Sequence, residues 1–353
     1  VLNSGPALKV AAHMAGSTNP EGLEEMTISM LKGESGEQKE ELDKLINWIV
    51  EHCNPDVIHI SNALLLGLVK RIKEKLDVLV VCTLQDEDVW VNAMNDHFRK
   101  ATWELMKDRA ADVDAFFAVS NYYRTKMKSV LAIPDEKLVT CHITLAPEDY
   151  RSTLQKPQNI GYLSRMCESN GLELVIDAFT ILKKDPKWQM VKLIITGGST
   201  GDDHRFLKKI KRKIKRGGLR DFVEFHKDFE GEGRHDFFSK ISLLSVPVLE
   251  GEAFGLYLLE AMASGVPVVQ PATGAFPEII EKSGGGVIYQ PNTPAQLAKI
   301  ITGLLMDPEK LSGLAEKGKQ GVNKNFNIHR QANEIIKFYQ KIREQKRVNS
   351  NVT

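Results

Sequence analysis

The chain has 353 residues, of which 42% are hydrophobic and 26% charged, and its formal net charge is +1. This length predicts about two globular domains, and the balanced charge does not favour nucleic acid as a partner. Four cysteines without paired spacing argue against a disulfide framework or a zinc cluster. With no apolar run near the roughly 20 residues that span a bilayer and no signal-peptide pattern at the start, we expect a cytoplasmic protein.

Short apolar runs alternate with longer amphipathic stretches, which is typical of α/β structure with parallel sheets flanked by helices. The predicted strands of the first half are 7–12, 57–60, 78–83 and 115–119, with helices such as 37–52 and 95–109. The predicted strands of the second half are 159–163, 191–196, 223–226, 243–248, 266–270 and 286–289. The helices between them are predicted near 172–183, 205–216, 255–263 and 294–305.

A polar segment bracketed by Pro147 and Pro157 separates the two predicted sheets. Its composition favours an interdomain hinge, and an ordinary surface loop is the alternative. We therefore predict an N-terminal domain over 1–147 and a C-terminal domain over 148–328. The last strong helix, near 329–346, lies in a final segment, 329–353.

Two acids flank a Phe-Gly turn in the second half. Glu252 and Glu260 lie eight positions apart, with Phe254 and Gly255 between them. If a helix begins just after Gly255, Glu260 lies about one and a half turns inside it, and Glu252 stays in the preceding loop. Both acids can then face a ligand at the helix N-terminus, where unpaired N–H groups attract anions. Acids with this spacing are common, so a helix-flanking charge and a buried structural acid remain the alternative.

Residues 252–269, EAFGLYLLEAMASGVPVV, resemble the signature of the large retaining glycosyltransferase family with two facing Rossmann-like domains, the GT-B fold. In this family, known as the group 1 or family 4 glycosyltransferases, seven residues separate two glutamates, with Phe-Gly after the first. The turn at 274–278 resembles the family's Gly-Gly-x-Pro-Glu, with Ala275 replacing the second glycine.

The resemblance implies transfer of a sugar from a nucleotide-diphosphate-sugar donor to an acceptor hydroxyl with retention of configuration. It implies no cofactor and no bound metal, and it allows a glycan or lipid-linked acceptor, as in polysaccharide biosynthesis. The C-terminal domain would bind the donor and the N-terminal domain the acceptor, and the final helix would cross back to the first domain.

The resemblance also assigns roles around the two acids. Glu260 would bind the ribose hydroxyls of the donor, and Glu252 would lie beside the transferred sugar. Ionised carboxylates accept hydrogen bonds only, which suits paired hydroxyl donors. The backbone N–H groups of Phe254, Gly255 and Leu256 would contact sugar hydroxyls or phosphates.

The loop after the first strand of the second domain carries Arg165 and Asn170. In the resembling family an Arg and, five residues later, a Lys bind the donor pyrophosphate there, so Arg165 matches and Asn170 replaces the Lys. One guanidinium with helix-terminal amides can still hold a diphosphate. Gly197 occupies the position of the family's glycine-rich turn. A surface arginine and a simple turn glycine are the alternatives.

Many family members place a histidine at the position of Gln85, near the reacting sugar carbon. Gln85 cannot take a proton. The front-face route inferred for the family tolerates this, because the departing phosphate receives the acceptor's proton. Asp86 and Asp88 spell Asp-x-Asp, a metal-binding string in another glycosyltransferase fold, but we favour acceptor contacts or capping of the next helix for these acids.

The cationic run at 206–216 has apolar residues at helical spacing. A solvated helix face is the favoured interpretation, and peripheral contact with the inner face of an anionic membrane is the alternative.

The usual opening strand and glycine-rich turn of the family are missing before Val57. Either the protein begins part-way into the fold, or leading residues are absent from this sequence. Together with Asn170 and Gln85, this leaves open a weakened or inactive relative that binds a nucleotide sugar or glycan. Phosphorolysis or sugar-nucleotide epimerisation would need a phosphate site or an acid/base pair that the sequence does not reveal.

Overall fold

The computed structural model describes residues 20–152, 157–227 and 229–350, with side chains described up to residue 346. The described chain divides into two compact units. Residues 20–142 and 330–350 form the first unit, and Ile143–His329 form the second. Leu145 belongs to the second unit because its N–H donates to the carbonyl of Phe326 at 3.1 Å. The strand predicted at 7–12 lies outside the described residues.

The first unit contains a parallel sheet of four strands in the order β1-β2-β3-β4. The strands are β1 (Val57–Ile60), β2 (Leu79–Leu84), β3 (Ala115–Ala118) and β4 (Leu138–Thr140). The helices are α1 (Glu24–Lys32), α2 (Lys39–His52), α3 (Gly67–Lys75), α4 (Glu87–Asn92), α5 (Asp96–Ala110) and α6 (Asn121–Leu131), followed much later by the C-terminal helix (Ile328–Ser350). The sequence analysis missed β4, whose three residues are too short to show a clear pattern.

The C-terminal helix completes the core of the first unit. Its apolar side chains pack against Val81, Ala115 and Phe117 of the sheet. The rings of Phe117 and Phe338 lie 5.0 Å apart with an interplanar angle of 62°, an edge-to-face contact. Between sheet and helix, His59 is hydrogen-bonded to the Tyr339 hydroxyl through Nδ1, at 2.6 Å.

The second unit contains a parallel sheet of six strands in the order β10-β9-β8-β5-β6-β7. The strands are β5 (Ile160–Leu163), β6 (Leu193–Thr196), β7 (Val223–Phe225), β8 (Leu243–Leu244), β9 (Val268–Pro271) and β10 (Gly286–Tyr289). The helices are α7 (Leu172–Leu182), α8 (His204–Arg216), α9 (Gly231–Ser239), α10 (Leu256–Ala263), α11 (Phe276–Ser283), α12 (Pro294–Leu305) and α13 (Pro308–Asn325).

Strand β8 is shorter than the predicted 243–248. Pro247 has no N–H to give to a neighbouring strand. The N–H of Val246 instead donates to the side-chain Oε1 of Gln270 at 3.1 Å, and the N–H of Val248 turns back to the carbonyl of Val246. The chain therefore leaves the sheet early and enters the loop that carries Glu252 and leads into α10.

The contact between Phe117 and Phe338 predicts that the C-terminal helix contributes to the free energy of unfolding. Phe338→Ala removes a half-buried ring from this core and should lower the free energy of unfolding by about 2 kcal/mol, measured by urea denaturation. Ile336→Ala is the matched control on the same helix, because Ile336 is 51% exposed and its loss should cost less than about 0.5 kcal/mol. Equal losses in the two variants would contradict the packing described here.

Candidate active site

The second sheet changes direction between β5 and β8. From β5 the chain proceeds through β6 to β7, and from β8 it proceeds through β9 to β10 on the other side. Ligands of open parallel sheets bind at the carboxyl ends of the strands beside such a switch point. Of the residues singled out in the sequence, this geometry gathers those that follow β5, β6 and β8: Arg165, Asn170, Gly197, Glu252, Phe254, Gly255, Leu256 and Glu260.

The loops at this switch point approach one another closely. The N–H of Leu249 donates to the carbonyl of Ser169 at 2.9 Å, which ties the β8 loop to the β5 loop. A Cβ at position 171 would lie 1.9 Å from the carbonyl oxygen of Pro247. A Cβ at position 197 would lie 2.0 Å from the carbonyl oxygen of Ser164, and Gly197 also has φ of 123°. Both positions therefore require glycine for steric reasons.

Arg165 is fixed by two neighbours in the loop after β6. Its Nε and Nη2 each donate to the carboxylate of Asp203 at 2.9 Å, a bidentate pair. Nη2 also donates to the Thr200 hydroxyl at 3.0 Å. Burial works to lower the pKa of Arg165, but the hydrogen bonds and charge of Asp203 outweigh it and raise the pKa overall. Arg165 stays charged, and its Nη1 makes no hydrogen bond within the described part of the chain.

Asn170 stabilises the loop after β5, which carries Arg165, by hydrogen bonds within that loop. Its Nδ2 donates to the Ser164 hydroxyl at 2.9 Å and to the carbonyl of Arg165 at 3.3 Å. The buried hydroxyl of Tyr162 lies within hydrogen-bond distance of the carbonyls of Arg165, at 3.1 Å, and Asn170, at 3.3 Å. The amide thus holds the backbone around Arg165 at the position where the family pattern has a second cation.

Helix α10 begins where the sequence predicts, directly after Gly255, and this prediction is confirmed. Gly255 has φ of 88°, which disfavours other residues. Phe254 is buried against the ring of Phe326, with centroids 6.2 Å apart, whereas Leu256 is partly exposed. Phe254 therefore anchors the start of the helix, and Glu260 follows in its second turn.

Glu252 lies in the loop before α10, and the turn after β9 supports it. The N–H of Ala275 donates to the carbonyl of Glu252 at 3.0 Å. A Cβ at position 274 would lie 2.4 Å from the backbone nitrogen of Glu252, so glycine is needed there. The Tyr257 hydroxyl donates to the carboxylate of Glu252, which fixes the side chain as well as the backbone.

Glu260 is buried and ion-paired. Its Oε1 accepts from the Tyr150 hydroxyl at 3.1 Å and from the guanidinium of Arg234. Burial raises the pKa of Glu260, and the charge of Arg234 and the bond from Tyr150 partly oppose this. Burial, with the charge of Glu260, raises the pKa of Tyr150 to about 12. The sequence analysis missed Tyr150 and Arg234, because both are distant from Glu260 in the chain and no local pattern marks them.

Gln85 and Asp86 lie in the first unit, at the carboxyl end of β2. The Gln85 amide donates to the carbonyl of Ser61 at 2.9 Å. Asp86 has φ of 57° and precedes α4, but its side chain does not cap that helix, so the capping interpretation is wrong. The proposed contacts of both residues with an acceptor stay a prediction.

Glu87, which the sequence analysis did not single out, organises this loop. Its fully buried carboxylate accepts from the backbone N–H groups of Ala63, at 3.0 Å, and Gln85, at 2.8 Å, and from the Tyr123 hydroxyl at 2.8 Å. Burial raises the pKa of Glu87 despite these hydrogen bonds. The sequence signal available for Glu87 was an acid shortly after a buried strand.

Asp88, the second acid of the Asp-x-Asp string, is ion-paired with Lys126. Among the described residues, no three His, Cys, Asp or Glu side chains are grouped so as to hold a metal ion. This pairing gives Asp88 a structural partner.

The apolar residues of the cationic helix α8 face the protein interior. Ile210 and Ile214 are buried, and Lys213 forms ion pairs with Glu173 at 2.9 Å and Asp177 at 2.6 Å on α7. Over the residues described, no helix is both long and apolar enough to cross a membrane.

Two family models match the chain, one for each unit. The model of glycosyl transferases group 1 matches residues 149–321, and the model of Glycosyltransferase Family 4 matches residues 37–143. Together they account for most of the chain. The protein belongs to the GT-B glycosyltransferases, as the sequence motifs predicted.

Similar curated proteins are longer than the present chain. The lipopolysaccharide core biosynthesis mannosyltransferase LpsB of Rhizobium meliloti is 29% identical over 192 residues, which cover 52% of this chain and 51% of LpsB. The D-inositol 3-phosphate glycosyltransferase of Corynebacterium jeikeium is 23% identical over 274 residues, covering 77% of this chain and 59% of the relative. The chain thus spans about half of the first relative and less than two thirds of the second.

Solved structures share the fold at low sequence identity. Anabaena HepE in complex with UDP superposes with a TM-score of 0.74 at 18% identity, covering 85% of this chain and 82% of HepE. Sucrose-phosphate synthase from Thermosynechococcus elongatus gives a TM-score of 0.71 at 20% identity, covering 88% and 80%. The α/β fold with two parallel sheets flanked by helices is therefore the GT-B fold.

The pairing of Glu260 with Arg234 predicts a pH-dependent loss of stability. Arg234→Met leaves a buried carboxylate without its cation and should lower the free energy of unfolding by about 2 kcal/mol at pH 8. The substitution raises the folded-state pKa of Glu260 further above its unfolded value. The unfolded state then releases a proton that the folded state keeps, so the loss grows as pH rises from 5 to 8.

Denaturant unfolding at several pH values measures this effect. Arg151→Met is the matched control, because Arg151 pairs with Glu232 at the surface, where both side chains are more than two-thirds exposed, and its loss should cost less than about 1 kcal/mol at any pH. In a Glu260→Gln background the pH-dependent part of the Arg234→Met effect should vanish. Its persistence there would contradict the assignment to Glu260.

Proposed function

We propose that this protein transfers a sugar from a nucleotide-diphosphate-sugar donor to an acceptor hydroxyl, with retention of configuration and without a bound metal or other cofactor. The observation that carries the proposal is the convergence of Arg165, the N-terminus of α10 and Glu252 at the carboxyl ends of neighbouring strands β5 and β8. A cation and a helix N-terminus together attract a diphosphate, and an acceptor-only carboxylate suits sugar hydroxyls.

We assign the roles of the individual residues as the family resemblance implies. Arg165 binds the diphosphate through the part of its guanidinium that Asp203 leaves open, and Gly197 lets the nucleotide approach the backbone. Glu252 orients the transferred sugar, and Glu260 accepts from the ribose hydroxyls beside Tyr150. The amides of Phe254, Gly255 and Leu256 contact the sugar or the phosphates. Gln85 and Asp86 serve the acceptor.

The reaction breaks the bond between the anomeric carbon and the diphosphate oxygen and forms a bond from that carbon to the acceptor oxygen. The proton of the acceptor hydroxyl passes to the departing diphosphate, so no protein side chain has to take it. The negative charge that grows on the diphosphate is stabilised by Arg165 and by the helix N-terminus, and catalysis is mainly positional and electrostatic.

Donor affinity should be modest, because only one cation of the family's pair is present. Asn170 contributes no charge, and the charge of Arg165 is partly balanced by Asp203. UDP is the first nucleotide to test, since HepE was solved with UDP and with UDP-glucose. The acceptor is a glycan or a lipid-linked glycan, and an exposed cationic face of α8 would suit contact with an anionic membrane.

A thermal-shift panel of UDP, GDP, ADP, TDP and their sugars tests the donor site. A ligand at a hundred times its dissociation constant should add about 2.7 kcal/mol of stability. Arg165→Met should weaken nucleoside diphosphate and sugar nucleotide alike. Glu252→Gln should weaken only the sugar nucleotide, because Glu252 faces the sugar, and it should lower kcat/KM about 100-fold.

Glu281→Gln serves as the control, since Glu281 is exposed on α11, and it should leave both affinities and turnover unchanged. NMR of the product's anomeric proton then reports whether configuration is retained. Near-normal turnover in Glu252→Gln would refute the proposed catalytic role. Selective nucleotide binding without any product across a panel of glycan acceptors would indicate a relative that binds but does not transfer.

A further inference from the structure

The candidate diphosphate ligand Arg165 has a dedicated partner in another loop. Asp203 lies in a short 3-10 turn, Gly201–Asp203, between β6 and α8, and it is 5% exposed. Its two carboxylate oxygens accept from Nη2 and Nε of Arg165, both at 2.9 Å. No sequence motif marks Asp203, because it is far from Arg165 in the chain.

Asp203 is itself held in place. Its Oδ2 accepts from the N–H of Thr200 at 2.7 Å, as part of a capping box at the start of the turn, and also from the Thr200 hydroxyl at 3.1 Å. Burial works to raise the pKa of Asp203, but the bonds from Arg165 and Thr200 lower it overall, so the carboxylate stays ionised at neutral pH. The carboxylate is therefore a rigid and permanently charged partner for the guanidinium.

A guanidinium offers several N–H groups in a fixed planar fork. Asp203 and Thr200 occupy Nε and Nη2, and this leaves Nη1 for a ligand. A free arginine side chain would lose rotamer entropy on binding a phosphate, and a side chain already fixed in the protein avoids much of that loss. The cost is electrostatic, because the carboxylate offsets part of the attraction between Arg165 and the diphosphate.

We infer that Asp203 is a positioning residue for donor binding, which holds Arg165 so that its Nη1 side meets the diphosphate at the switch point between β5 and β8. The inference rests on the proposed function. Positioning matters more here than in a site with two cations, because Asn170 occupies the position where the family pattern has the second cation. The opposing hypothesis makes Asp203 a competitor that the diphosphate must displace.

A double-mutant cycle separates the two hypotheses. The variants are Asp203→Asn, Arg165→Met and the double variant, and the probe is whichever of UDP, GDP, ADP and TDP binds the wild type most tightly, measured by calorimetry at fixed ionic strength. We expect Asp203→Asn to weaken binding about tenfold, which corresponds to about 1.4 kcal/mol. In the Arg165→Met background the same change should have no further effect, because its action passes through Arg165.

Two further variants guard against a folding artefact. Thr200→Val keeps Asp203 but removes the hydroxyl that accepts from Nη2, and it should weaken the probe about two- to threefold. Glu173→Gln breaks the ion pairs to Lys209 and Lys213 on α8 without touching Arg165, and it should leave affinity unchanged. A loss in Glu173→Gln equal to that in Asp203→Asn would overturn the inference, because it would trace the effect to α8 as a whole.

The remaining outcomes are equally decisive. Unchanged or tighter binding in Asp203→Asn would overturn the positioning role, and tighter binding would favour the competitor. Equal losses from Asp203→Asn in the presence and absence of Arg165 would also overturn it, while leaving the proposed function intact. Failure of the wild type to bind any of the four nucleotides would refute the proposed function, and this inference with it.

Discussion

The close approach of backbone loops at the switch point is the constraint on which the second unit depends. The loops after β5, β6 and β8 meet so tightly that Gly171 and Gly197 have no room for a Cβ. The turn after β9 adds Gly274 against the backbone of Glu252. Because these contacts involve main-chain atoms, they fix where each loop presents its polar side chain.

The second organising feature is the pairing of charges. Arg165 faces Asp203, and Glu260 faces Arg234, so each of these four charges has an opposite one within contact. Unpaired, these groups would carry a large desolvation cost or change their protonation. The pairs leave the sum of these four charges near zero, so the proposed binding of an anionic donor would rely on hydrogen-bond geometry and on the dipole of α10 more than on net charge.

Much of this architecture was accessible from the sequence, because its signals are local. Alternating apolar runs predicted parallel sheets, and the Phe254-Gly255 turn placed the start of α10 correctly. The side chain of Ser120 before α6 accepts from the N–H of Tyr123 at 3.0 Å, as a helix N-cap does. Helix α13 was missed although its start is marked by a local signal, an Asp307 N-cap followed by Pro308.

The partners of the candidate site were not accessible, and the reason is physical. Asp203, Arg234 and Tyr150 reach their partners from elements that are distant in the chain, so no sequence spacing records the contact. A motif identifies the group that would meet a ligand, whereas the residue that orients this group is chosen by the fold. In this protein Asn170 replaces the cation of the family motif and binds the loop backbone instead. The side chain that departs from the family pattern thus supports the backbone of the loop that carries Arg165.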